Sequence, residues 1–319
     1  MKIVVLDGYA LNPGDLSWEA LRQFGSVNVY DRTPEDQIPI RARGADAILT
    51  NKSPLSAQTL AQLPGLRYIG VLATGFNIVN IDKANELGIT VTNIPAYGTA
   101  SVAQFAIALL LELCHHIGLH SEAVRQGEWS RCADWCFWKT PLIELAGKTL
   151  GIVGFGRIGR QTGAIAAGMG MRIIANSGKP REVSNPNLRL VPLDELLRQA
   201  DVVSLHCPLS LENKGMMHMQ RFQQMKSTAL LVNTSRGALI VDRDLADALN
   251  SGIIAGAALD VLSLEPPLGS NPLLTARNCI VTPHIAWATR EARARLMDCA
   301  VENLKGFLEG TVRNLAGQL

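Results

Sequence analysis

A chain of 319 residues is longer than one hydrophobic core usually serves, so two domains are expected. Apolar residues make up 47%, charged residues 18%, and the formal net charge is +2, which argues against a disordered chain, a nucleic-acid footprint and a polybasic membrane patch. No nucleic-acid partner and no membrane association are expected, and the apolar run Ile3–Leu6, cut short by Asp7, is too brief for a secretory leader.

Strand-like runs open the chain. Lys2–Leu6, Val27–Tyr30, Ala47–Thr50, Tyr68–Leu72 and Thr90–Asn93 read as strands, with helical patterns between most of them, including residues 15–24. This is the β-α-β rhythm of a parallel sheet. From Ser101 the run SVAQFAIALLLELC is apolar on nearly every side and predicts a helix buried all round, at a domain junction or subunit interface. Residues 127–141 then hold Trp129, Trp135 and Trp138 in an irregular stretch that suggests a homodimer interface, although plain packing explains these rings equally well. A second β-α-β series follows, with strands at Thr149–Gly154, Arg172–Ala175, Val202–His206, Ala229–Asn233, Ile254–Asp260 and Cys279–Thr282. The end of the chain reads as an amphipathic helix and a short tail. The six cysteines (Cys114, Cys132, Cys136, Cys207, Cys279, Cys299) show neither CxxC nor zinc-ligand spacing, so reduced thiols, a cytoplasmic location and no metal site are expected.

Residues 149–160, TLGIVGFGRIGR, place Gly154, Gly156 and Gly159 as GxGxxG between a strand and a helix. The first glycine permits a tight turn, the second lets backbone approach a pyrophosphate, and the third lets helix pack on strand. A lone glycine turn says little; in this setting it points to a dinucleotide at a helix N-terminus. The acidic residue expected near the end of the next strand is absent. Ser177 stands there, with Lys179 and Arg181 following. The missing negative charge favours NADP slightly over NAD, while hydrogen bonding of an NAD ribose by Asn176 and Ser177 is the alternative.

Reduction of a 2-keto acid needs a cation for the substrate, a histidine to protonate the oxygen, and a carboxylate to hold that histidine protonated. Arg236 follows the strand Ala229–Asn233, Glu265 lies in DVLSLEPP (260–267), and His284 follows the last strand, all where ligands bind in such sheets. With these residues the chain resembles the D-isomer-specific 2-hydroxyacid dehydrogenase family. The matching stretches are ATGFNIVNID (73–82), SVAQ (101–104), TLGIVGFGRIG (149–159), SLHCPL (204–209), residues 231–242, DVLSLEPP and TPHIAW (282–287), in order along nearly the whole chain. LTNKSPL (49–55), NIPAYGTASVAQ (93–104) and WKTPLIELAGKTLGIVGFG (138–156) look like its glycerate dehydrogenase, or hydroxypyruvate reductase, branch.

The resemblance implies an α/β architecture of two doubly wound parallel-sheet domains. A Rossmann cofactor domain (99–286) is inserted into a flavodoxin-like substrate domain (1–98 and 287–319). It implies a homodimer, His284 as acid/base, Glu265 as its partner and Arg236 on the substrate. Ala73, Thr74 and Gly75 would bind the substrate carboxylate and Asp260 the nicotinamide carboxamide. Gly154, Gly156, Arg157, Ile158 and Gly159 would line the pyrophosphate, with Ser177, Lys179, Cys207, Pro208 and Thr234 along the cofactor groove. Interconversion of hydroxypyruvate and D-glycerate with NAD or NADP is the expected activity. Glyoxylate reductase, another D-2-hydroxyacid dehydrogenase, or a non-catalytic dinucleotide-sensing protein like the corepressors of this fold are the alternatives.

Overall fold

The computed structural model describes residues 1–178 and 188–317, and the chain in it divides into two units, Met1–Gly98 with Trp287–Leu319, and Thr99–Ala286. Each is built on a wholly parallel sheet, so the architecture is α/β with two doubly wound sheets, as the strand rhythm implies.

In the first unit, β1 (Lys2–Val5), β2 (Ser26–Val29), β3 (Ala47–Thr50), β4 (Tyr68–Val71) and β5 (Thr90–Thr92) run in the order β2-β1-β3-β4-β5. β3 and β4 are buried along their whole length, which suits near-continuous apolar runs. One face packs Val4, Ile48 and Ile69 against Ile38, Leu60 and Ala84. The other packs Ile3, Val5 and Leu49 against Leu296, Ala300 and Leu304 of the C-terminal helix Arg290–Leu308. Burying each such leucine contributes roughly 1.5–3 kcal/mol. The helix read over residues 15–24 shrinks to Glu19–Arg22. The Asn12 side chain takes the backbone upstream: its Oδ1 accepts from Gly14 N at 3.0 Å and Leu16 N at 2.9 Å, fixing a turn where the helix would have started.

In the second unit, β6 (Thr149–Val153), β7 (Arg172–Asn176), β8 (Leu188–Leu190), β9 (Val202–Leu205), β10 (Leu230–Asn233), β11 (Gly256–Leu259) and β12 (Cys279–Val281) run in the order β12-β11-β10-β9-β6-β7-β8. Alternate strand residues serve opposite faces. Val203, Leu205, Leu231 and Leu259 meet Leu196, Phe222 and Leu245, whereas Val202, Leu230, Val232 and Ala258 meet Ile107, Leu110 and Ala166. The apolar helix Thr99–His115 lies on that second face, against β10, β11 and the helix Arg157–Gly168. It is not buried all round in the single chain: Gln104 and Ala108 are exposed. Among the described residues, no single helix is long and apolar enough to cross a membrane.

All strands being parallel, every β-to-loop transition at a carboxyl end falls on one edge of its sheet. In the second unit the chain steps outward from β6 to β7 and β8, then returns to β9 on the other side of β6. That reversal opens a crevice between the ends of β6 and β9, the usual ligand position in such sheets.

Candidate active site

Gly154 leaves β6 with φ of 97°, and a Cβ there would lie 2.4 Å from Cys207 N at the end of β9. Both facts require glycine, and they show how tightly the crevice floor closes. A Cβ on Gly159 would meet Gly154 O at 2.4 Å, so the helix Arg157–Gly168 can sit down on the turn only with hydrogen at that position. Gly156 differs. It is the extended residue before the helix (φ −84°, ψ −158°), and a Cβ there would meet nothing within 4 Å. Open space thus faces the first N–H groups of a twelve-residue helix. These groups, with the positive end of the helix dipole, suit a pyrophosphate.

The rest of the crevice fits a dinucleotide. Thr234, at the end of β10, is only 9% exposed, and its Oγ1 has no hydrogen-bond partner among the described residues. Cys207 and Pro208 follow β9 by way of His206. Burial pushes the Cys207 thiol up, which keeps it a neutral lining group. Ile158 is half-buried and Arg157 exposed in the first turn of the helix. Ser177 directly follows β7, beside β6, while Lys179 and Arg181 lie outside the described residues. Asn176 Nδ2 donates to Val191 O at 3.0 Å, which directs that amide nitrogen back into the protein.

On the same edge stand the three groups singled out for proton and charge transfer. Asn233, fully buried, holds the turn that carries Arg236: its Nδ2 donates to Arg236 O at 2.9 Å, and its Oδ1 accepts from Ser235 N and Ser235 Oγ at 3.0 Å each. Arg236 is exposed and steadied by an Nη1 bond to Ser235 O at 2.7 Å. Across the edge, His284 Nδ1 lies 2.5 Å from Glu265 Oε2. Glu265 Oε1 also accepts from Leu262 N at 3.1 Å, so its carboxylate is oriented before it meets the ring.

His284 has φ of 55°, a left-handed conformation that a non-glycine residue adopts only when the surroundings impose it. Asp260 imposes it. This carboxylate is 1% exposed; Oδ1 accepts from Thr282 Oγ1 at 2.6 Å and Ile285 N at 2.9 Å, and Oδ2 accepts from Ala286 N at 2.8 Å. Asp260 thereby braces the loop that carries His284. The sequence signal for this was only an aspartate at a strand end.

Ala73, Thr74 and Gly75 follow β4 on the carboxyl edge of the first unit's sheet. Asn51 Nδ2 donates to Leu72 O at 2.7 Å, Thr74 Oγ1 to Ile94 O at 2.7 Å, and Asn93 Nδ2 to Thr74 O at 2.7 Å. Three side chains thus brace the loop, and of these Asn51 and Asn93 were not singled out in the sequence.

A dinucleotide cradle sharing one sheet edge with an arginine and a carboxylate-bound histidine defines a nicotinamide-type dehydrogenase. Comparison with known proteins specifies the kind. The profile of the D-isomer specific 2-hydroxyacid dehydrogenase NAD binding domain matches residues 107–286. The chain is 53% identical to a hydroxypyruvate reductase of Blautia hydrogenotrophica over 100% of both chains. It is 36% identical to a glycerate dehydrogenase of Methylorubrum extorquens over 98% of each. The solved TT0316 protein of Thermus thermophilus superimposes with a TM-score of 0.87 at 33% identity, covering 99% of this chain and 100% of that one. The chain belongs to the D-isomer specific 2-hydroxyacid dehydrogenase family, and it is an NAD(P)-dependent enzyme interconverting small 2-keto and D-2-hydroxy acids.

Proposed function

We propose that this enzyme reduces hydroxypyruvate to D-glycerate and runs the reverse oxidation. The observation that carries the chemistry is the 2.5 Å His284–Glu265 pair on the sheet edge that also bears Arg236 and the Gly154–Gly159 cradle. The identity to a hydroxypyruvate reductase over the whole chain carries the choice of substrate.

In this reading Thr99–Ala286 is the cofactor domain, and Met1–Gly98 with Trp287–Leu319 is the substrate domain. The Gly156 turn and the first N–H groups of Arg157–Gly168 hold the pyrophosphate, and Thr234 and Cys207 line the groove. Nicotinamide, when bound, supplies or accepts the hydride at C2 of the substrate. Arg236 binds the substrate and stabilises the charge that grows on the keto oxygen. His284 gives that oxygen a proton through Nε2 during reduction and takes it back during oxidation. Glu265, at Nδ1, fixes the ring and balances the imidazolium. Ala73–Gly75 offer backbone N–H groups to the substrate carboxylate.

NADP is the cofactor we favour. Its support is the neutral Ser177 after β7, where a carboxylate would repel a 2′-phosphate. A homodimer is supported by the apolar groups exposed between residues 117 and 142: Ile117 at 61%, Trp135 at 87%, Trp138 at 66% and Leu142 at 55%. The six free cysteines fit a reducing cytoplasm.

Purified enzyme mixed with NADPH or NADH and a panel of hydroxypyruvate, glyoxylate and pyruvate tests these assignments through loss of nicotinamide absorbance. The highest kcat/KM is expected for hydroxypyruvate with NADPH. A better glyoxylate or pyruvate rate overturns the substrate choice, and a better NADH rate overturns the cofactor choice. Nicotinamide binding without turnover of any acid would favour a dinucleotide sensor.

A further inference from the structure

The segment that carries Arg236 also reaches the other half of the acid–base site. Gly237 packs so closely on the Glu265 loop that a Cβ there would fall 1.9 Å from Leu262 C and 2.0 Å from Leu262 O. Leu262 is the residue whose N–H donates to Glu265 Oε1. Further along the same segment, Asp242 opens the helix Asp242–Asn250, and its Oδ2 accepts from Ser263 Oγ at 2.6 Å and Asn271 Nδ2 at 2.8 Å. Ser263 and Asn271 stand on either side of Glu265 in the chain. Asn271 is itself anchored, since its Oδ1 accepts from Leu273 N at 3.0 Å. The loop bearing Glu265 is therefore held before the carboxylate and after it by one oxygen of Asp242.

We infer that Asp242 is a positioning residue: through Ser263 and Asn271 it sets the loop that presents Glu265 to His284. The inference rests on the acid–base reading given above. Hydrogen bonds spanning 21 and 29 residues of sequence pull a loop that is exposed from Ser263 to Ser270 onto the start of a helix. Without them the exposed loop gains conformational freedom, and Glu265 loses the fixed approach that a 2.5 Å contact with His284 demands. Asparagine can keep a carbonyl oxygen where both donors converge, whereas alanine cannot.

The test is a mutant cycle on pure enzyme, with Asp242→Ala and Asp242→Asn made in the wild-type and Glu265→Gln backgrounds and His284→Ala as control. Thermal midpoints establish that each protein is folded. Asp242→Ala should lower kcat about 10-fold or more with little change in the KM for nicotinamide, and Asp242→Asn should stay within about 3-fold of wild type. In the Glu265→Gln background Asp242→Ala should cost less than about 2-fold further, because the two act through one contact. If Asp242→Ala does not fold, Ser263→Ala, which removes one of the two donors, gives the same comparison with a smaller loss. Equal kcat losses in both backgrounds, or Asp242→Asn as damaging as Asp242→Ala, would overturn the inference. Full turnover in Glu265→Gln and His284→Ala would instead overturn the acid–base reading on which it stands.

Discussion

The Asp260 carboxylate at the end of β11 accepts the N–H of Ile285 at 2.9 Å and so grips the residue next to His284. The same oxygen accepts from Thr282 on the other side of the histidine, and the second oxygen takes Ala286 N. A positive φ at His284 is thereby stabilised by a buried neighbour on the adjacent strand, and the ring arrives at Glu265 with its direction set.

Asp260→Ala should remove that grip. A misplacement of about 1 Å in reacting groups costs on the order of 100-fold, so kcat should fall by about that factor. Leaving buried donors unsatisfied should also lower stability by about 1–3 kcal/mol. Asp260→Asn keeps one acceptor toward Thr282 and Ile285 but turns an amino group toward Ala286 N–H, so it should fall between. Steady-state kinetics and urea unfolding measure both. Wild-type kcat in Asp260→Ala would remove Asp260 from this role.

Two glycines of the cradle should fail in different ways. Gly154→Ala meets both a forbidden φ and Cys207 N at 2.4 Å, so it should unfold at markedly lower temperature. Gly156→Ala meets no protein atom within 4 Å, and its Cβ enters the space in front of the helix N-terminus. It should melt within about 1 kcal/mol of wild type yet bind NADPH at least about 10-fold more weakly. Thermal unfolding with NADPH fluorescence titration separates the two. Equal nucleotide affinity in Gly156→Ala would place the pyrophosphate elsewhere.

Acid should destabilise the protein in two stages. Burial pushes the His206 imidazole down from 6.5 to about 4, and its Nε2 lies 2.8 Å from Ser204 Oγ. Between these values the unfolded chain takes up a proton that the folded chain refuses. The stability is complete above about 6.5 and drains away as pH falls toward 4. Asp46 works lower. Its backbone hydrogen bond from Lys2 N, at 2.7 Å, holds the carboxyl below 3.8, so its contribution is present above 3.8 and lost beneath it. Urea midpoints from pH 7 to pH 4 should fall, and should flatten in His206→Gln. An unchanged slope in that variant would assign the first stage to another group.

Arg293 of the C-terminal helix is 8% exposed and binds Asp15 twice, at 2.7 and 2.6 Å, besides Leu11 O and Ala288 O. Asp15→Ala leaves a buried guanidinium without its counter-charge, which is more damaging than its absence. It should lower the unfolding midpoint more than Arg293→Met does, and it should have little effect in the Arg293→Met background. Additive losses would show that the pair is not coupled.

Much of the molecule was legible beforehand because its signals are local. Eleven strands were read from short apolar runs at near-final boundaries. The missed one, β8, is the edge tripeptide Leu188-Arg189-Leu190, half-buried at best, with no apolar run to announce it. Arg236, Glu265 and His284 were found from residue type and strand-end position, and the structure gathers them on one edge of one sheet. Asn233, Gly237 and Asp242 were not found. An asparagine after a strand, a glycine in a turn and an aspartate opening a helix have ordinary local explanations, and what they touch lies elsewhere in the chain.

The linear order of residues settled the alternation of strands and helices, the glycine turn and the family, since each depends on neighbours a few positions apart. The strand order β12-β11-β10 decided the rest. It sets Asp260 beside the His284 loop and the Arg236–Asp242 segment against the Glu265 loop. Hydrogen bonds and close contacts across 20 to 30 residues follow from which strands lie side by side, and no local periodicity encodes that adjacency.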